Sequence, residues 1–335
     1  MMRFLLDDEQ RDFARSLDGM LTAADTPAAA RAWAAGEHAA GFALRQRIGA
    51  AGVFALAAPE AYEGVGPSPV ETAVAFVELG RHAVPGPLVE TVAAVALLAR
   101  LAALGVPEPA ERSLPTLVGG GASATLTLPG AGPYALDADA SAVLLAAGDG
   151  EVRLAPGHAE PRASLDPARR LARLLAGGEV VASGDAAADA AGRALDWAAL
   201  ATAAQSLGVG YALLDRTVAY VRGRTQFGAP VGSFQAVKHR LADVLVGLEF
   251  ARPLVFGAAV SLRDGDQSAA RVDLAAAKVA TGEAVYGAAR AALQLHGALG
   301  YTAEYDLSLW LLKARALRGA WGGVGRWRER VVAGG

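Results

Sequence analysis

The chain has 335 residues, 53% of them hydrophobic and 19% charged, with a formal net charge of −3. That length supports two or three units and a large core, the composition excludes a disordered or charged arm, and the charge gives no footprint for nucleic acid. Cysteine is absent, which removes disulfides, thiolate metal sites, iron–sulfur ligation and cysteine nucleophiles together and fits a cytoplasmic setting.

In chain order, MMRFLLDDEQRDFARSL has too short an apolar run, with acids following at once, for a signal peptide. Residues 4–24 are amphipathic, with Phe4, Leu5, Phe13, Leu17 and Leu21 near one helical face. Further helices are expected over 38–52, 69–82 and 88–103, with FALAAPEAYEGVG (54–66) as a break at Pro59, Gly64 and Gly66. Residues 1–110 therefore read as a helical N-terminal domain. At PEPAERSLPTLVGGG (107–121) the character changes to short apolar runs between Gly, Pro and Asp, so 111–185 read as a shortened β middle domain. Helical periods return over 187–222, 234–263, 267–297 and 303–331, with RDGDQS (263–268) as a turn and N-cap signal. Long helices with short links make 186–335 an antiparallel bundle. No stretch reads as a lipid-embedded span, because Arg, Asp or Glu recurs in nearly every long helical segment.

Two stretches carry candidate chemistry. RTQFG (224–228) is either an ordinary helix–helix connection or a grip on a dinucleotide. In the second case Arg224 meets phosphate, Gln226 a base or ribose edge, and Phe227 a flat ring. QLHGALGYTAEYDL (294–307) is either a glycine C-cap or a backbone that a ligand approaches closely. Neither follows a strand, so a Rossmann or P-loop reading fails. His38, His82, His158, His239 and His296 show no metal-ligand spacing, and no metal site is expected; His239 reads as structural. DPARRLARL (166–174) reads as a basic turn-helix with a solvated face, and GRWRERVV as an amphipathic helix end.

Taken together, the order and spacing of these pieces resemble the acyl-CoA dehydrogenase family of FAD-dependent flavoproteins. Its R-x-x-F-G turn and following F-Q-x-x-x-x-x-x-A-D are matched by Arg224, Phe227, Gly228, Phe234, Gln235, Ala242 and Asp243. Its Q-x-x-G-G-x-G-Y/F-x-x-E-Y is matched by Gln294, Gly297, Gly300, Tyr301, Glu304 and Tyr305, with Ala298 in place of the second glycine. APEAYEGVG resembles the V-P-E-x-Y-G-G-x-G loop with Glu63 for a glycine, and VELGRHAVPGPLVET resembles E-L-G-R-x-x-x-P-x-P. The resemblance covers nearly the whole chain. It implies a mainly α fold with a small β domain: helical N-terminal domain, β middle domain and C-terminal four-helix bundle.

The resemblance also implies an FAD shared across a subunit interface. Arg224 and Gln226 would contact its pyrophosphate, Phe227 would lie against the flavin nucleotide, and Gln294, Gly297 and Gly300 would lie near the adenosine half. Phe234 and Gln235, in the same motif, are counted with these cofactor-binding residues. The implied partners are another acyl-CoA dehydrogenase-like chain in a homo- or heteromeric dimer or tetramer, an acyl-CoA substrate and an electron-transfer flavoprotein. Helices apolar on more than one face, over 198–214 and 272–293, are expected to form the dimer contact.

Three departures stand against the family pattern. The usual base position after the R-D-A stretch is Trp321, and the alternative position early in the first bundle helix is Ala198. The nearest acid, Asp196, lies about 200° round the helix and is a weak candidate. The T-E-P-x-x-G-S-D strand corresponds to LTLPGAGPY (126–134), without its acid and serine. The expected function is therefore the subunit of a heteromeric acyl-CoA dehydrogenase that lacks the base. The alternatives are a self-contained flavoenzyme with altered chemistry in secondary metabolism, or a non-catalytic binding scaffold.

Overall fold

The computed structural model describes residues 5–334 apart from residue 266, so Phe4 and Asp266, placed by sequence in a helix and a turn, lie outside the described residues. Six helices come first: α1 (Asp8–Thr22), α2 (Thr26–Ala34), α3 (Ala39–Ala50), α4 (Pro69–Arg81), α5 (Leu88–Ala103) and α6 (Glu108–Val118). A capping box opens α1: the Asp7 carboxylate accepts from Gln10 N at 2.8 Å, and the Gln10 side chain accepts from Asp7 N at 3.1 Å. Leu17 and Leu21 are buried as expected, whereas Leu5 is exposed. Helix α2 was not foreseen. Asp25 caps it at Ala28 N, and Pro27 sits in its first turn, where a missing N–H costs nothing.

The expected boundary at 110/111 falls inside α6. Residues 111–118, read as part of the β unit, are its last two turns, and the first strand begins at Ala124. Pro109 in the first turn and Pro115 three residues from the end give this helix the look of a loop.

The middle region is a sheet of four strands in the order β1-β3-β4-β6: β1 (Ala124–Thr127), β3 (Val143–Gly148), β4 (Glu151–Leu154) and β6 (Glu179–Ser183). The β1–β3 pair is parallel, the other two pairs are antiparallel, and β4 carries a register shift at Val152/Arg153. A separate antiparallel pair joins β2 (Ala135–Leu136) to β5 (Leu171–Ala172). Residues 166–174, expected as a solvated turn-helix, form a turn leading into β5, with Asp166, Arg169 and Arg170 largely buried.

The C-terminal part contains α7 (Gly184–Gly223), the hairpin β7 (Thr225–Gln226) and β8 (Ala229–Pro230), then α8 (Gln235–Asp264), α9 (Gln267–His296), α10 (Leu307–Gly319) and α11 (Val324–Ala333). The single helix expected over 303–331 is two helices. The chain turns at Trp321 and Gly322, whose φ values are 60° and 109°.

Helix α7 is the spine of the molecule, packed by α4, α5, α8, α9 and α10. Its all-round apolarity, expected to serve a dimer contact, is used up inside the chain. Two glycines permit the closest crossing: a Cβ on Gly208 would lie 1.9 Å from the Val77 carbonyl, and one on Gly80 would lie 2.0 Å from the Gln205 carbonyl. Exposed apolar residues of the bundle include a group on α8, Leu245, Val246, Phe250 and Leu254. By length and composition α7 and α8 are both apolar enough to cross a membrane, but α7 is enclosed by the chain's own helices. His239, read as structural, stands exposed on α8.

Candidate functional site

The RTQFG stretch is the tip of a two-residue β-hairpin. Phe227 and Gly228 occupy its two central positions with φ of 55° and 77°, the backbone of a type I′ turn. Glycine suits that conformation and phenylalanine does not, so the ring is held outward at a conformational cost. Phe227 is 93% exposed, and its ring neighbour is the partly exposed Phe234, edge-on at 6.4 Å. Arg224, at the end of α7, donates to the Tyr220 hydroxyl at 2.8 Å and lies over that ring; among the described residues no carboxylate pairs with it. Gln226 turns back to the Thr225 carbonyl, and Gln235 is exposed in the first turn of α8.

Tyr220 ties this hairpin to the second glycine motif. Its ring stacks on His296 at 4.1 Å and 19°, immediately before Gly297. The His296 Nδ1 donates to the Ala292 carbonyl, burial lowers the imidazole pKa, and among the described residues the buried Nε2 has no partner, as suits a neutral ring. Gly297, at φ 62°, has nothing within 4 Å of where a Cβ would stand, so its backbone is open. Gln294 is exposed beside it. Gly300 is different: it is buried, and its Cβ direction meets the Leu293 carbonyl at 3.1 Å, which makes it a packing glycine. The structure thus groups Arg224 and Gly297 about the Tyr220–His296 stack and turns Gly300 away.

A second site lies between the β region and the bundle. It is a cavity of about 350 Å³, walled by Leu126, Leu128, Tyr134 and Leu165 on one side and by Trp321 on the other, with Glu90 and Arg169 among its lining. Trp321 is 8% exposed. Beside this cavity Arg326 of α11 donates to the Pro129 carbonyl at 3.3 Å and fills the space over Gly130, where a Cβ would lie 2.1 Å from the guanidinium. Ala198 is fully buried in α7. Asp196 does not line the cavity; it lies 3.7 Å from Arg271, and burial raises its carboxyl to about 6 against the pull of Arg271 and Arg193.

The family models for the acyl-CoA dehydrogenase N-terminal and C-terminal domains match residues 7–121 and 188–333. Over 272 residues the chain is 35% identical to acyl-CoA dehydrogenase IpdE2 of Mycobacterium tuberculosis, covering 81% of this chain and 78% of that one. The chain belongs to the acyl-CoA dehydrogenase family. IpdE2 of Mycolicibacterium smegmatis is 34% identical over 275 residues, 81% of this chain and 79% of that one. Among solved structures, a variant of the Tcur3481-Tcur3483 steroid ACAD matches with a TM-score of 0.81 at 26% identity, over 98% of this chain and 97% of that one.

The mainly α architecture with its small sheet region is thus the acyl-CoA dehydrogenase fold, and the chain is an acyl-CoA dehydrogenase-like flavoprotein. Against that family's pattern, Glu63 is instructive. It replaces a loop glycine and keeps the left-handed backbone, with φ 61°.

Sequence reasoning missed the buried charges around the cavity. Glu90, in the first turn of α5, is 3% exposed; burial pushes its carboxyl pKa up, opposed by Arg169. Asp137, raised to about 7 by burial, accepts from Arg170 N at 2.9 Å. Lys313 lies 3.6 Å from Asp166, and the Lys278 ammonium donates to the Leu317 carbonyl at 2.9 Å. The only available signal was DPARRLARL itself: two adjacent arginines after an Asp-Pro turn, read there as solvated. Elsewhere, Asp18, Glu78 and His82 bring three ligand atoms within 4.8 Å of one another. The group lies at the surface, and the Asp18–His82 hydrogen bond at 2.8 Å accounts for two of its members.

Proposed function

We propose that this chain is one subunit of a heteromeric acyl-CoA dehydrogenase. In this reading it lends Arg224, Gln226, Phe227, Phe234, Gln235, Gln294 and Gly297 to an FAD held mainly by a partner subunit that carries the base. The observation that carries the reading is the contrast between its two sites. The outer hairpin presents a 93% exposed ring and a guanidinium that no carboxylate pairs with among the described residues, while Trp321, at the position where the resemblance puts the base, lines the chain's own cleft.

The outer face suits FAD by its donor set. Arg224 supplies a charge-assisted contact for phosphate, Phe227 a flat apolar surface, and Gly297 an open backbone. When bound, FAD accepts the β-hydride of the acyl thioester. The residues of this chain bind and orient; none of those at the outer face holds a proton for that reaction. Trp321 has no atom that takes up the α-proton, and Asp196 is engaged with Arg271 outside the cavity.

The exposed apolar stripe of α8, continuous in sequence with the hairpin, is the surface proposed to meet the partner. The 26% identical relative is named a steroid ACAD and its name joins two chains, which supports a steroid-derived acyl-CoA and a heteromer here. An electron-transfer flavoprotein in the cytoplasm is the proposed acceptor. The test is Arg224→Ala in the assembled protein: it should leave the melting curve of the lone chain unchanged, since an exposed arginine contributes little through surface pairing, and weaken FAD retention. Equal FAD content in mutant and wild type would remove the assignment.

A further inference from the structure

A groove of about 320 Å³ lies between the later turns of α5, the 54–67 loop, the start of α7 and the turn from α8 to α9. It shares no lining residue with the cavity beside Trp321. Glu90 lines the one and Ala99 the other, about 14 Å apart along α5 at 1.5 Å per residue. The walls are apolar, with Pro59 and Pro67 from the loop, Ala99 from α5, Trp197 from α7 and Leu262 from α8. The charged side chains in the lining are Arg100, Arg193 and Arg263; among the described residues no acid, hydroxyl or amide joins them there. Two of these charges are matched. Arg100 makes a bidentate pair with Asp189, and Arg263 lies 2.9 Å from Asp264. Arg193 is not matched. It is half-buried, its guanidinium stands 5.7 Å from the centre of the Trp197 ring, and among the described residues it has neither a hydrogen bond nor an ion pair. Asp196, on the same helix, lies instead 3.7 Å from Arg271. Burial lowers the Arg193 pKa; Asp196 and Asp189 oppose this and Arg100 adds to it.

We propose that this groove is a ligand site, separate from both the cleft at Trp321 and the outer hairpin, and that it takes a monocarboxylate with a compact apolar body. Three arginines with two paired acids leave one positive charge, which calls for one negative charge. A carboxylate offers two oxygens to the guanidinium fork of Arg193, a charge-assisted bidentate contact. The body of the molecule then lies on Trp197, Leu262 and the two prolines, and a volume of about 320 Å³ is in the range of small-molecule sites. A neutral amide of the same shape meets Arg193 with one oxygen and leaves its charge unbalanced. A phosphate dianion brings more charge than is free. Arg193 is therefore the specificity-determining residue of the groove. The proposal rests on the groove alone, and the outer hairpin is tested independently at Arg224.

The test is calorimetric titration of the full chain with 4-cyclohexylbutanoate and with 4-cyclohexylbutanamide, which share one carbon skeleton. The acid should bind about tenfold more tightly than the amide, the effect of one hydrogen bond to a charged group. Arg193→Met should bring the acid down to the amide's affinity and leave the amide unchanged. Ala99→Trp, which fills the groove from a half-exposed position, should weaken both at least about tenfold through steric exclusion. It also keeps the question answerable if Arg193→Met fails to fold, and it separates binding in this groove from binding in the cleft at Trp321. Binding of neither compound would overturn the proposal. So would equal affinities, a preference that survives Arg193→Met, or unchanged binding of either compound in Ala99→Trp. None of these outcomes bears on FAD retention at Arg224.

Discussion

Replacing Phe227 by alanine distinguishes a ring that holds the fold from a ring that waits for a ligand. The side chain is 93% exposed, so truncation removes almost no buried area, and its edge contact with Phe234 at 6.4 Å is worth at most about 1 kcal/mol. The backbone strain at φ 55° persists in alanine and cancels from the comparison. The lone chain should therefore melt within about 3 °C of wild type. In the assembly, taking the ring from solvent to full contact with a flat cofactor gains about 1.5–3 kcal/mol. At 1.4 kcal/mol per factor of ten, FAD should dissociate roughly 10- to 150-fold more readily. The assay is FAD fluorescence in the filtrate after graded dilution of the assembly, beside a thermal melt of the lone chain. A large drop in melting temperature, or an unchanged FAD dissociation constant, would refute the reasoning.

Phe250→Glu, at a position 74% exposed on α8, should leave the fold intact and shift the protein to smaller species in sedimentation; an unchanged assembly would rule out this face as the contact. Gly208→Ala places a Cβ 1.9 Å from the Val77 carbonyl and should lower stability by about 1–3 kcal/mol in urea melts, where an unchanged midpoint would show that α4 and α7 separate freely. Burial lowers the Lys278 ammonium to about 7. An unfolded lysine keeps its proton to about 10.4, so between these values the unfolded chain binds more protons and stability rises with pH. Lys278→Met should remove its share of that rise. Urea midpoints of mutant and wild type that climb in parallel from pH 7 to 9 would contradict the assignment.

Most of the architecture was legible because it rests on local periodicity. Helix α5 was expected over 88–103 and spans Leu88–Ala103, since nothing in its interior breaks the pattern. The failures have local and long-range causes. Three prolines from 107 to 115 disguise α6 although two of them sit at its start, and α2 is short and rich in alanine, with its signal reduced to Asp25 and Pro27. At the candidate site the residues of the hairpin were legible, but the left-handed backbone of Phe227 was not, because sequence pattern favours glycine there. The buried pair was invisible for another reason. An acid in a first helical turn and an arginine after Asp-Pro each read as solvated; Glu90 and Arg169 are buried only because β5 and the turn before it fold over α5 and α10, a contact between distant segments.

The central claim is that this chain completes a flavin site but does not supply its base. The direct measurement is anaerobic flavin bleaching by a panel of acyl-CoAs, first with the chain alone loaded with FAD and then after adding a family member that carries the carboxylate. Positioned general-base catalysis contributes roughly 10²- to 10⁴-fold, so the lone chain should bleach negligibly and the mixture rapidly. Rapid bleaching by the lone chain with any simple acyl-CoA would contradict the account, and Glu90, rather than Asp196, would then be the first residue to replace.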